Sequence, residues 1–187
     1  SVNDRPILTP VAQVLPTLTE DDFSNPGTII ADLLGDRASD VETSDMGIAV
    51  TGLVSGSGSW QYSLDGGATW ANIPSVSATI GFVLGPTDRL RYLPDGTNAT
   101  SASITYVAWD HTVGSAGVRR SISTAPNSQF SELSETASVS VTALNDAPIL
   151  APSNPTFALI NQAGAITPRS INSLISGSLR DVDVGAL

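Results

Sequence analysis

Leu144-Asn145-Asp146-Ala147-Pro148-Ile149-Leu150 repeats Val2-Asn3-Asp4-Arg5-Pro6-Ile7-Leu8, 142 positions later. The echo runs on past the motif. Ile30-Ala31-Asp32-Leu33-Leu34 matches Ile171-Asn172-Ser173-Leu174-Ile175, and Asp40-Val41-Glu42 matches Asp181-Val182-Asp183, both at an offset of 141. A period of this length is the mark of tandem domains. The chain is therefore expected to hold one complete repeat, residues 1–146, and the start of the next, residues 147–187. One repeat of about 140 residues is long enough to bury its own core.

Within the repeat the pattern is β. Arg89-Leu90-Arg91-Tyr92-Leu93 and the run from Ser101 to Val107 alternate polar and apolar residues, so each has one buried and one wet face. Gly47 to Leu53, Thr79 to Leu84, Ser103 to Asp110 and Thr136 to Leu144 read as further strands. Ser59 to Ser63 and Thr69 to Ile73 form a hairpin across Asp65-Gly66-Gly67. The Ser-rich stretch from His111 to Glu135 reads as a long loop with an edge strand at Ser121-Ile122-Ser123. One helix is predicted over 26–34, with Asn25 as its cap, Pro26 at its first position and Gly35 at its exit. The second copy carries similar punctuation at Thr167-Pro168 and Gly177. About seven short strands with Gly/Pro turns predict an all-β antiparallel sandwich with one short helix near the start of the repeat.

The net charge is −10 and all eight basic residues are arginines scattered along the chain. This disfavours nucleic acid and anionic membrane surfaces, which need basic patches. Excess carboxylate favours divalent cations or serves solubility, and acidity alone does not separate these. There is no cysteine, so a disulfide scaffold is excluded. No apolar run approaches the roughly 18 residues of a membrane span, so no direct membrane insertion is expected.

Asn145-Asp146-Ala147-Pro148, at the end of a long strand and ahead of a new repeat, resembles the linker of cadherin-like and immunoglobulin-like repeats in giant bacterial surface adhesins of the RTX type, exported by type I secretion. The resemblance implies a calcium-stabilised, non-catalytic extender on the outside of the cell, with neighbouring repeats of the same chain as its partners. It implies calcium ligands in the linker, in an acidic residue near the start of the domain, in an Asp-x-Asp-like pair and in an acidic residue ending a late strand. The matching residues are Asn3 and Asp4, Glu20 and Asp22, Asp40 and Glu42, and Asp110, then Asn145, Asp146, Asp181 and Asp183 in the second copy. Glu20-Asp21-Asp22 aligns with Asn161-Gln162-Ala163, which lacks the acids. Calcium takes 6–8 oxygen ligands, and alternate residues of an extended Asp40-Val41-Glu42 would aim two carboxylates the same way. The alternative is that these are solvated loop carboxylates.

Ser63-Leu64-Asp65-Gly66-Gly67-Ala68-Thr69-Trp70 fits the Asp-box pattern of sialidase propellers, read here as a structural hairpin. Trp60 and Trp109 are expected in the core. His111 is the only histidine and no Gly-x-Ser-x-Gly elbow accompanies it, so the chain is not expected to be an enzyme. The competing reading is a ligand-binding module for a cell-surface glycan or protein, through the 111–135 loop or exposed aromatics; a third is a β-domain attached to an enzyme. The truncated second copy exposes Ile149, Phe157, Leu159 and Ile160, which predicts that it docks on the first repeat or on a neighbouring molecule.

Overall fold

The computed structural model describes residues 2–112, 114–123, 125–151, 168, 170–175 and 177–181. It divides into two compact units, Ser1–Ala143 and Leu144–Leu187.

The first unit opens with three two-residue strands, β1 (Ile7–Leu8), β2 (Gln13–Val14) and β3 (Leu18–Thr19). Then come β4 (Thr28–Ile29), α1 (Ile30–Leu34), a 3-10 turn (Gly35–Arg37) and β5 (Ala38–Ser39). The body is built from β6 (Gly47–Val54), β7 (Ser59–Ser63), β8 (Ala71–Asn72), β9 (Ile80–Leu84) and β10 (Arg89–Leu93). It closes with β11 (Thr100–Trp109), β12 (Arg119–Ser121) and β13 (Phe130–Thr142). One sheet runs β12-β9-β6-β11-β13-β2, with β3 also on β13, and the other runs β4-β10-β7-β8. The long pairings are antiparallel, and β2 and β3 add to β13 in parallel.

Strand alternation builds two cores from the larger sheet. Ile48, Val50, Phe82, Leu84, Ile104, Tyr106, Val139 and Val141 meet Trp60, Leu90 and Tyr92 of the smaller sheet. Trp60 packs edge-on to Tyr92 at 5.3 Å. The opposite face carries Ala49, Val83, Val107, Trp109 and Phe130, roofed by Ala116 and Ile122 of the Ser-rich segment. Both expected core tryptophans are buried, Trp109 under this second roof rather than between the sheets.

Two predicted elements are corrected. The helix begins at Ile30, not Pro26. Gly27 has φ +65°, and the β-branched Thr28-Ile29 pair with Leu90 and Arg89 as a strand. The first helical amides need no side-chain cap, because Ile30 N–H and Ala31 N–H donate to the Asp88 and Pro86 carbonyls at 3.0 Å. Asn25 instead donates from Nδ2 to the Asp22 and Tyr92 carbonyls. The exit was placed correctly: Gly35 takes φ +52° and its N–H closes on the Ala31 carbonyl. The second correction is β13, which starts at Phe130 and absorbs the end of the predicted loop, while the edge strand β12 lies two residues earlier than expected.

The second unit contains β14 (Ile149–Leu150), α2 (Ile171–Ile175) and β15 (Leu179–Arg180). β1 pairs with β5 through Ile7↔Ser39 and Leu8↔Ala38; β14 pairs with β15 through Ile149↔Arg180 and Leu150↔Leu179. The flanking bond recurs too, Thr9 N–H to Arg37 O in one unit and Ala151 N–H to Ser178 O in the other. The sequence echo is thus also an echo of backbone pairing. Ile149 is 65 % exposed; Phe157, Leu159 and Ile160, with their predicted docking, lie outside the described residues, as do Thr167 and the Asn161-Gln162-Ala163 stretch.

Candidate metal centre at the head of the first unit

β11 ends at Trp109 and delivers Asp110 to the edge of the sandwich, fully buried. Asp110 holds the start of the chain in place. Its Oδ2 accepts from Asn3 Nδ2 at 2.9 Å, and its Oδ1 accepts from Thr112 N–H at 3.0 Å and Thr112 Oγ1 at 2.8 Å. The same Asn3 amide also donates to the Ser128 carbonyl, and its Oδ1 accepts from Thr112 Oγ1. These donors are all neutral, so no cation stands against its charge among these bonds.

Asp4, next in the chain, donates its N–H to Glu42 Oε2 at 3.3 Å. Glu42 N–H and Thr43 N–H in turn donate to Asp40 Oδ1 at 2.9 and 3.2 Å. This corrects the expected geometry of the acidic pair. Asp40-Val41-Glu42 is a bend closed by the Asp40 side chain, not an extended segment with two parallel carboxylates. The other oxygen, Asp40 Oδ2, is buried and has no hydrogen-bond partner. The hydrogen bonds therefore tie Asn3 to Asp110, and Asp4 to Asp40 through Glu42, with Asn3 and Asp4 adjacent in the chain.

Glu20 and Asp22 are not part of this group. Glu20 is 1 % exposed and its N–H bonds Thr142 O, beside the Thr100 end of β11, whereas Asp110 follows the Trp109 end. Ten strand residues separate the two ends, on the order of 30 Å. Asp22 Oδ2 closes a local turn by accepting from Thr19 N–H at 2.7 Å. In the second unit Asn145 Nδ2 bonds Asp146 O at 2.9 Å, as Asn3 Nδ2 bonds Asp4 O at 2.8 Å. Asp181 follows β15 directly, as Asp40 follows β5, and Asp183 lies outside the described residues.

No protein-family profile, curated protein or solved structure matches this chain. Carboxylates, an Asn carbonyl and backbone oxygens are hard ligands of the kind calcium takes, and the buried Asp40 Oδ2 among them has no donor. The donor chemistry fits, but the convergence is partial: among the described residues no three His, Cys, Asp or Glu side chains close on one point.

Sequence reasoning missed Thr112 and Ser128. Asp110-His111-Thr112 carried a usable signal, an Asp whose carboxylate can bond the residue two places on; Ser128 carried none. His111 has φ +56°, the only positive φ at a non-glycine among the described residues. Its ring stacks edge-on to Trp109 at 4.6 Å and its Nδ1 lies 2.9 Å from Asp45 Oδ2. Nearby Asp88 is nearly buried and bonds Gly85 N–H at 2.7 Å; burial raises its pKa, with that bond and His111 opposing. Among the described residues no helix is long and apolar enough to cross a membrane.

Proposed function

We propose that this chain is a non-catalytic extender segment of a large extracellular bacterial adhesin, its sandwich repeats stabilised by calcium and its immediate partners the neighbouring repeats of the same chain. The observation that carries the proposal is the buried Asp110 carboxylate, bonded through Asn3 to the Asn-Asp motif that recurs as Asn145-Asp146. The donors to that carboxylate, Asn3 and Thr112, are neutral, so a cation beside it would meet its charge. Asp4, Asp40, Glu42 and Asp110, with the Asn3 carbonyl, would close on the ion as it binds, since no three of these acids converge without it, and the ion would supply positive charge to them. Binding to the folded state alone then becomes domain stability.

The test is thermal unfolding in EDTA and across a calcium titration. At about 100 times the dissociation constant the gain is about 2.7 kcal/mol, which raises the Tm of a domain this size by roughly 5–10 °C. Asp110→Asn and Asp40→Asn should abolish the rise, and magnesium should not reproduce it. A Tm indifferent to calcium would sink the proposal and leave the acids as solvated or structural groups.

A further inference from the structure

Arg89 and Arg91 alternate with the buried Leu90 and Tyr92 on β10, so both guanidinium groups leave the outer face of the smaller sheet. They border a surface cleft of about 450 Å³ whose other walls include Phe23, Gly67 and Trp70. The two arginines are held differently. Arg91 is spent on neutral acceptors: Nε and Nη2 donate to Gln61 Oε1 at 3.0 and 2.8 Å, and Nη1 donates to the Asn25 carbonyl at 3.3 Å. Its guanidinium carbon sits 4.1 Å over the Trp70 ring. It is a fixed positive charge. Arg89 makes one bond, from Nη1 to the Pro26 carbonyl at 3.1 Å, which leaves Nε and Nη2 as an open fork among the described residues. Neither arginine is ion-paired with a described carboxylate. Asp88, next to Arg89 in the chain, is buried and its Oδ2 accepts from Gly85 N–H at 2.7 Å, while Asp65, two residues beyond the Ser63 that pairs with Arg89, has both oxygens committed to Ser63 and Thr69.

A chain of net charge −10 does not gather anions by its overall field. Two uncompensated guanidinium groups on one cleft are a local exception, and an arginine fork matches a planar carboxylate. Phe23, 49 % exposed at the rim, offers an apolar ring beside that charge. We propose that this cleft binds a carboxylate-bearing sugar, a uronate. The Arg89 fork takes the carboxylate, Arg91 supplies charge, and Phe23 covers a C–H face of the ring. This goes beyond the extender reading and does not depend on calcium.

The experiment is a chemical-shift titration of the isotope-labelled full chain with trigalacturonate in calcium-free buffer, so that metal bridging between carboxylates does not enter. Monogalacturonate tests whether the free sugar suffices or a polymer is needed. Maltotriose, inorganic phosphate and a triglutamate peptide are the controls. Saturable shifts confined to Phe23, Gly67, Trp70, Arg89 and Arg91 are expected, with affinity reduced roughly tenfold or more by Arg89→Gln. Phe23→Ala, on an exposed loop, should weaken the uronate and leave phosphate unchanged. No saturable response to either uronate, an equal response to phosphate or to the acidic peptide, or undiminished binding by a folded Arg89→Gln chain would each overturn the proposal.

Discussion

Asp65 shows what one residue can be read to do. Its Oδ1 accepts from Thr69 N–H at 2.8 Å and Ser63 Oγ at 2.7 Å, and its Oδ2 accepts from Thr69 Oγ1 at 2.6 Å. These bonds, the Thr69 hydroxyl's first, lower its pKa from 3.8 to about 2. A depressed carboxylate contributes stability that is present above its unfolded pKa and lost as pH falls through the folded one. The hairpin should therefore hold at pH 5, weaken below about 4, and lose this contribution near pH 2, as read from the Thr69 amide resonance. Asp65→Asn should remove that pH dependence; a Thr69 amide that titrates unchanged in the variant would contradict the assignment. This site was legible because all its partners lie within an eight-residue motif. The Asp110 site was legible only in part. Asp110 and Thr112 are neighbours, but Asn3 and Ser128 arrive from 107 and 18 residues away through sheet topology.

At the scale of elements, strands that alternate were readable and ends were not. The α1 start was misplaced because its amides are satisfied by the β9–β10 turn, a tertiary partner that no local cap reveals. The start of β13 was missed because it buries polar residues. Ser131 accepts from Ala108 N–H and donates to Leu133 O, and Glu135 is 3 % exposed opposite Tyr106. Glu135 is offset by Arg37, whose Nε lies 3.6 Å from Oε2 and whose Nη2 also donates to the Leu33 carbonyl. The Arg37 pair thus fastens the α1 end to the centre of the larger sheet. The adjoining Tyr106 hydroxyl has its pKa raised, by burial first and the Glu135 charge second. Arg37→Gln leaves a buried acid without its counter-charge and should cost about 3–5 kcal/mol in chemical unfolding. Glu135→Gln should cost less, because Arg37 keeps a path to water. Equal losses from the two variants would mean that the pair is not what fastens the helix.

For the whole molecule the governing quantity is charge. Acids outnumber bases by ten, no lysine is present, and at the head of the first unit Asp4, Asp40, Glu42 and Asp110 stand on neighbouring segments with no arginine among the hydrogen bonds described for them. The sandwich class and the longer strands were legible in the sequence; the two-residue strands β1 to β5 were not, nor that Glu20 and Asp22 stand at the other end of the sheet, because only the register of β3 on β13 decides it. Such crowding repels at low ionic strength, and the repulsion is relieved either by diffuse salt or by a bound cation. The two remedies should compete. In EDTA, raising sodium chloride from about 0.01 M to 0.15 M shortens the Debye length from about 30 to 8 Å and should raise the Tm. Under saturating calcium the same salt step should raise it less, because the repulsion it screens has already been removed. A salt increment that is the same with and without calcium would show that any ion bound is not neutralising these carboxylates, and that the net charge serves solubility alone.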